Sequence, residues 1–110
     1  MKEEMLAYLN DRIDWHKREQ ARLKAACCAD EAAHVQIAIN VYGIFMSVYQ
    51  AVRFDLDETL RRFSGIVSTW DESHRAACEH GDEAKKFVEE IKISRAMEII
   101  RRAKELEERV

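Results

Sequence analysis

The chain has 110 residues, 47% of them hydrophobic and 35% charged, with three glycines and no proline. This length favours a single domain over residues 1–110, and the hydrophobic content excludes a disordered chain. The formal net charge of −3 lacks the basic excess typical of nucleic-acid-binding proteins, so we do not expect a nucleic acid partner.

The first predicted helix spans about residues 2–28. Alternating steps of three and four residues place one stripe of side chains along a helix, and the stripe here contains Leu6, Leu9, Ile13, His16, Gln20, Leu23 and Cys27. His16 and Gln20 are polar members of this stripe. We expect them to form buried hydrogen bonds that fix how the helix packs.

The second predicted helix spans about residues 31–64, with Asp30 as its N-cap. Residues 35–41 also alternate between apolar and polar types with period two, which would suit a β-hairpin turning near Gly43. A helix is the better prediction, because an isolated two-stranded sheet is only marginally stable in water.

The end of this helix has two interpretations. Arg61 and Arg62 followed by Gly65 are typical of a helix C-terminus, and residues 69–72 are typical of a capping box that opens a third helix over about 69–80. The apolar stripe nevertheless continues through this region, so one long helix of ~70 Å ending at His80 is the alternative. Typical helix lengths favour the break.

Gly81 and Asp82 predict a turn and the N-cap of a last helix over about residues 82–109. Together these elements predict an all-α fold. We expect antiparallel helical hairpins that form a three- or four-helix bundle, with a bundle around one long central helix as the alternative.

The second helix carries apolar side chains in nearly every direction, and a helix of this kind is buried all round. In a small bundle each helix keeps one side in water, so we expect the remaining side to be covered in a homodimer or higher homo-oligomer. Several polar residues interrupt the apolar segment 35–54, which argues against a membrane span. The residues expected to form the core or the oligomer interface are Ile37, Val41, Tyr42, Ile44, Phe45, Val48, Tyr49 and Val52.

Carboxylate and histidine side chains occur at the i, i+3 spacing used by metal-binding bundles. The candidate metal ligands are Glu31, His34, His74 and Cys78. No buried glutamate is expected on the first or last helix, so a full di-iron ligand set is missing. Such spacings also arise by chance in a highly charged chain, and we therefore expect no bound cofactor.

An assembled oligomer could also bring Arg53 and Arg61 beside Tyr49, where a nucleotide-like anion would bind. The sequence contains no glycine-rich phosphate loop and no hydrolase or metalloprotease motif. We therefore expect no catalytic residues.

By elimination, the sequence predicts a non-enzymatic helical interaction protein, such as an adaptor, regulator or inhibitor, that acts as a homo-oligomer on a protein partner. The alternative is a helical bundle that binds a nucleotide-like anion or a metal. The three cysteines are an odd number and two of them are adjacent, which is unlike a secreted disulfide framework. We therefore expect a cytoplasmic protein.

Overall fold

The structure is a computed structural model, and it describes residues 1–109. Four helices occupy this part of the chain: α1 (Lys2–Ala25), α2 (Ala29–Ala51), α3 (Leu56–Glu79) and α4 (Glu83–Glu108). The predicted all-α helical bundle is confirmed, and residues 35–41 are helical instead of forming the alternative β-hairpin.

The helices run alternately up and down. α1 packs against α2, and α3 packs against α4, as two antiparallel hairpins. α2 and α4 run in the same direction and lie side by side at the centre, where Tyr42 of α2 donates a hydrogen bond to Glu98 of α4 at 3.0 Å. Within residues 1–109, α1 and α3 do not pack on each other. The result is a flattened bundle of 42 × 36 × 22 Å.

The core lies where α2 meets the other three helices. Phe45 is fully buried and makes an edge-to-face contact with Phe63 of α3, with ring centroids 5.0 Å apart. By length and composition, α2 could also cross a membrane. Only 33% of this apolar segment is buried within the single chain, although α2 contacts the other three helices.

The predicted boundary between the second and third helices is wrong. α2 ends at Ala51, and α3 begins at Leu56 and continues through Gly65 without a break. Asp55 is the N-cap of α3, and its carboxylate accepts a hydrogen bond from the Glu58 amide at 3.1 Å. Residues 69–72 therefore lie inside α3, and Thr69 Oγ1 donates to the Gly65 carbonyl at 3.3 Å instead of capping a new helix.

The first turn lies earlier in the chain than predicted, at residues 26–28 instead of 29–30. α1 ends at Ala25 instead of Cys28, and α2 begins at Ala29 with Cys28 as its N-cap, so Asp30 lies in the first turn of the helix. The predicted last turn is confirmed: Gly81 has a φ of +69°, and Asp82 accepts from the Lys85 amide at 3.1 Å.

The turn between α2 and α3 has a strained backbone at residues that do not usually form turns. This is why the turn could not be predicted from the sequence. Arg53 and Phe54 are consecutive residues with φ values of 55° and 65°, the left-handed region in which glycine is favoured. Phe54 is held there by an edge-to-face contact with Tyr49, at 5.1 Å between centroids, and by Lys2 Nζ, 4.0 Å from its ring centroid. Tertiary packing thus supports a turn whose two left-handed positions carry no glycine.

We expect Arg53→Gly to stabilise the protein by about 0.5–1 kcal/mol, because relief of left-handed strain outweighs the extra entropy of glycine in the unfolded chain. Urea unfolding followed by circular dichroism measures this change. Arg61→Gly, at an exposed position inside α3, is the control and should destabilise by about 1 kcal/mol. A loss of stability in Arg53→Gly would show that the turn is not strained.

Candidate functional site

The outer face of α2 is free of charge over most of the helix. Residues 32–52 include no Asp, Glu, Lys or Arg, although 35% of the whole chain is charged. The exposed polar side chains here are three amides and a hydroxyl, and the other exposed residues are two alanines: Gln36, Asn40, Gln50, Ser47, Ala33 and Ala51. Gly43 is partly buried and lies between Asn40 and Ser47. We call the surface formed by Gln36, Asn40, Gly43 and Ser47 the α2 face.

The eight residues predicted as core or interface divide into two groups. Four of them are at most 1% exposed and belong to the core of the single chain: Val41, Tyr42, Phe45 and Tyr49. The other four are partly exposed and lie beside the α2 face or at the end of the helix: Ile37, Ile44, Val48 and Val52. Only this second group is accessible to another molecule.

The predicted anion site is not assembled within the described chain. Tyr49 is completely buried, and its hydroxyl has no hydrogen-bond partner among residues 1–109. Burial raises the pKa of Tyr49. Arg53 is exposed in the α2–α3 turn, and Arg61 is an exposed residue of α3 that pairs with Glu58. Neither arginine therefore hydrogen-bonds to the Tyr49 hydroxyl in the described part of the chain.

The candidate metal ligands lie in two places: His74 and Cys78 are next to each other on α3, and Glu31 and His34 are on α2. His34 makes an edge-to-face contact with Phe87 at 4.8 Å between centroids. His74 has its ring nitrogens 3.9 Å from Cys78 Sγ, and its Nε2 lies 3.4 Å from the Glu90 carboxylate. Glu31 lies in the first turn of α2. Within residues 1–109, no group of three or more His, Cys, Asp and Glu side chains could hold a metal ion.

One buried glutamate contradicts the expectation for the last helix. Glu89 of α4 is only 4% exposed. Its Oε1 accepts from Lys92 Nζ at 3.0 Å, and its Oε2 has no partner in the described part of the chain. Glu89 lies seven residues before the buried Ala96 and therefore on the same side of α4. This spacing predicts that Glu89 is buried, but a charged residue is normally expected to face water.

Glu98 of α4 is the centre of a polar network between α1, α2 and α4. Its Oε1 accepts hydrogen bonds from the hydroxyls of Tyr8 at 3.1 Å and Tyr42 at 3.0 Å, and lies 3.3 Å from Arg12 Nε. Its Oε2 lies 2.9 Å from Arg95 Nη1. Five side chains from three helices thereby form one connected cluster, which fixes the position of α1 relative to α4.

This network shifts the ionisation of its members. Burial alone would raise the pKa of Glu98, but the charge of Arg95 and the two tyrosine hydroxyls outweigh burial and lower it. Burial, followed by the charge of Glu98, raises the pKa of Tyr8. Glu98 therefore stays ionised and Tyr8 stays protonated at neutral pH.

His16 confirms the expectation of a polar core position on α1. It is 5% exposed, and its Nδ1 lies 2.7 Å from the carbonyl oxygen of Arg12. Burial lowers the pKa of His16, so the neutral ring with a proton on Nδ1 is the favoured form. Gln20, one turn later, is less buried and donates to Gln36 of α2 at 2.7 Å.

Two clefts flank the Glu98 network. The first, which we call the aromatic cleft, has a volume of about 480 Å³ and lies between α1, α2 and α4. Trp15 and Phe87 at this cleft are each 48% exposed. Its remaining lining residues are His16, Glu19, His34, Val35, Ala38, Glu90, Ile91, Ser94 and Arg95.

The second cleft, which we call the arginine cleft, has a volume of about 520 Å³ and lies between α1 and α4. Its lining residues are Tyr8, Arg12, Glu98, Arg101, Arg102 and Glu105. Neither cleft was predicted from the sequence. The α1 and α4 residues that line them are at least 68 positions apart along the chain (Glu19 to Phe87), and they meet only because the helices pack together.

Comparison of the chain with protein-family models, with curated proteins and with solved structures finds no match in any of the three. The function proposed for this protein therefore depends on the geometry of its described residues.

Proposed function

We propose that the protein is a non-enzymatic helical interaction protein that acts as a homo-oligomer, most simply a dimer, assembled through the α2 face. The assembled surface would then bind or block a protein partner, as an adaptor, regulator or inhibitor does. The observation that carries this proposal is the uncharged, partly exposed side of α2 in a chain that is 35% charged.

The chemistry of the α2 face favours a second copy of the same face as its partner. A side-chain amide both donates and accepts hydrogen bonds, so a surface of amides is complementary to itself, whereas a charged surface repels its own copy. Gln36 Nε2 donates to Asn40 Oδ1 at 2.9 Å, which leaves the Asn40 amide nitrogen available to donate to another molecule.

The shape of the α2 face also favours contact with another helix. Among residues 1–109, apart from the two chain neighbours of Gly43 and the backbone of its own helix, no atom lies within 4 Å of the position that a Cβ would occupy at Gly43. The small residues Gly43 and Ser47 would let a second helix approach closely. The partly exposed side chains of Ile37, Ile44 and Val48 would be buried on contact, which supplies the hydrophobic contribution to binding.

The size of the α2 face sets the expected affinity. A helix of 23 residues is about 35 Å long and ~10 Å wide. Such a footprint is smaller than the ~800 Å² per partner of a standard stable interface. We therefore expect dissociation of the oligomer in the micromolar range. The three cysteines are free, which is consistent with the proposed cytoplasmic location.

Ser47→Lys should dissociate the oligomer, because pairing of two copies would bring two desolvated ammonium groups into the same interface. Sedimentation velocity at ~5 to 200 μM, chosen to span the expected dissociation constant, measures the change, and we expect the variant to sediment as a monomer throughout. Ser68→Lys, an exposed serine on α3, is the matched control and should assemble like the unmodified protein. Equal assembly of all three proteins would contradict an interface at the α2 face.

A further inference from the structure

The aromatic cleft and the arginine cleft lie on one seam, where α1 packs antiparallel to α4. Arg12 connects them: its guanidinium carbon lies 5.3 Å from the Trp15 ring centroid, and the same side chain lines the arginine cleft. Arg95 lines the aromatic cleft and binds Glu98, which lines the arginine cleft. The two clefts are therefore adjacent compartments of one surface.

The aromatic cleft is suited to a planar ring. Trp15 of α1 and Phe87 of α4 are half exposed, and Val35, Ala38 and Ile91 add aliphatic lining between them. Stacking of a ring on exposed aromatic side chains is favourable for any base, because every base has a π face. The volume of about 480 Å³ falls within the range of small-molecule sites.

The arginine cleft is suited to an anion. The charge of Glu98 is neutralised by Arg12 and Arg95. The charge of Glu105 is neutralised by Arg102, whose Nη1 lies 3.3 Å from the Glu105 carboxylate. Arg101 is exposed and has no carboxylate partner among residues 1–109. Arg12 uses only its Nε in the network, so its terminal nitrogens remain available. Guanidinium groups arranged in this way bind phosphate through paired hydrogen bonds.

The spacing of the two compartments matches a ligand that carries both groups. Phe87 is fifteen residues, or about 22 Å, from Arg102 along α4, so the base would stack on Trp15, which lies beside Arg12 at the end of the aromatic cleft nearest the arginine cleft. Arg95 at this end of the aromatic cleft and Arg102 are seven residues apart, or about 10 Å along the helix. A nucleotide has its base and its phosphates separated by a ribose, over a distance comparable to this 10 Å. We propose that the α1–α4 seam binds a nucleotide, with the base in the aromatic cleft and the phosphate groups in the arginine cleft.

Isothermal titration calorimetry of the full chain tests this proposal with AMP, ADP and ATP and the corresponding guanine, cytosine and uracil nucleotides. Adenosine and tripolyphosphate serve as half-ligands, each suited to one compartment. We expect at least one nucleotide to bind about tenfold or more tightly than either half-ligand, because only a nucleotide makes both sets of contacts. Absence of binding by every nucleotide at millimolar concentration would overturn the proposal.

Variants locate the two compartments. Arg101→Ala and Trp15→Ala replace exposed residues, so both proteins should fold, and each should weaken nucleotide binding by about tenfold. Arg75→Ala is the matched control, because Arg75 is an exposed arginine of α3. It should bind like the unmodified protein. Tripolyphosphate or adenosine binding as tightly as the best nucleotide would overturn the two-compartment site, and so would insensitivity to either seam variant.

Discussion

Phe45→Ala should lower the free energy of unfolding by about 3–5 kcal/mol, the largest effect that we expect from a single substitution. Phe45 is fully buried on the central helix, and its ring contacts those of Phe63, at 5.0 Å between centroids, and Tyr49, at 6.2 Å. Truncation would remove the buried apolar area and leave a cavity between α2 and α3. Urea denaturation at fixed pH measures this loss.

Phe87→Ala is the matched control for this substitution. Phe87 is 48% exposed, so the same truncation should cost only about 1 kcal/mol. A cost below about 1 kcal/mol for Phe45→Ala itself would mean that α2 is not the core helix of the bundle.

Glu98→Ala should destabilise the protein by about 2–3 kcal/mol, because it removes the acceptor for two tyrosine hydroxyls and the counter-charge of Arg12 and Arg95. Glu105→Ala is the control on the same helix. Glu105 is exposed, and among residues 1–109 its one ion-pair partner is Arg102, so its removal should cost about 0.5 kcal/mol or less. Equal effects of the two substitutions would show that the network contributes nothing beyond a surface ion pair.

The same residue gives a pH dependence with a defined sign. The pKa of Glu98 is lower in the folded protein than its ordinary value of 4.5. As the pH falls below 4.5, the unfolded chain therefore takes up this proton first, and the stabilising contribution of Glu98 is lost. Urea unfolding measures the free energy of unfolding of the unmodified protein and of Glu98→Gln at pH 7 and in the acid range. We expect the unmodified protein to be the more stable of the two at pH 7, and this difference in free energy should become smaller as the pH falls.

Helix content was predictable from the sequence because period, composition and the scarcity of glycine and proline all point to helices. The turn after Ala51 was not predictable. Arg53 and Phe54 adopt left-handed conformations in which sequence rules expect glycine. Gly65, which was predicted to end a helix, is instead an exposed residue in the interior of α3. Contacts between distant residues, such as Lys2 against Phe54, determine this turn. Local sequence propensities do not depend on such long-range contacts and therefore cannot predict the turn.

The α2 face and the α1–α4 seam also differ in how far they could be predicted from the sequence. The apolar character of α2 is a property of one continuous segment, so the sequence could suggest an interface there. The α1–α4 seam combines Trp15 and Arg12 with Phe87 and Arg101, residues that become neighbours only when the two hairpins pack together. Charged residues are frequent throughout the chain, and no sequence spacing distinguishes the seam arginines from others on solvated helix faces.

Native mass spectrometry of the gently purified, unmodified protein at micromolar concentration tests the proposed homo-oligomer most directly, because stoichiometry is read from the mass itself. The proposal predicts a species with twice the chain mass of 12.9 kDa, or a higher multiple, whose share rises with concentration. A spectrum that contains only the monomer across the micromolar range would contradict assembly through the α2 face.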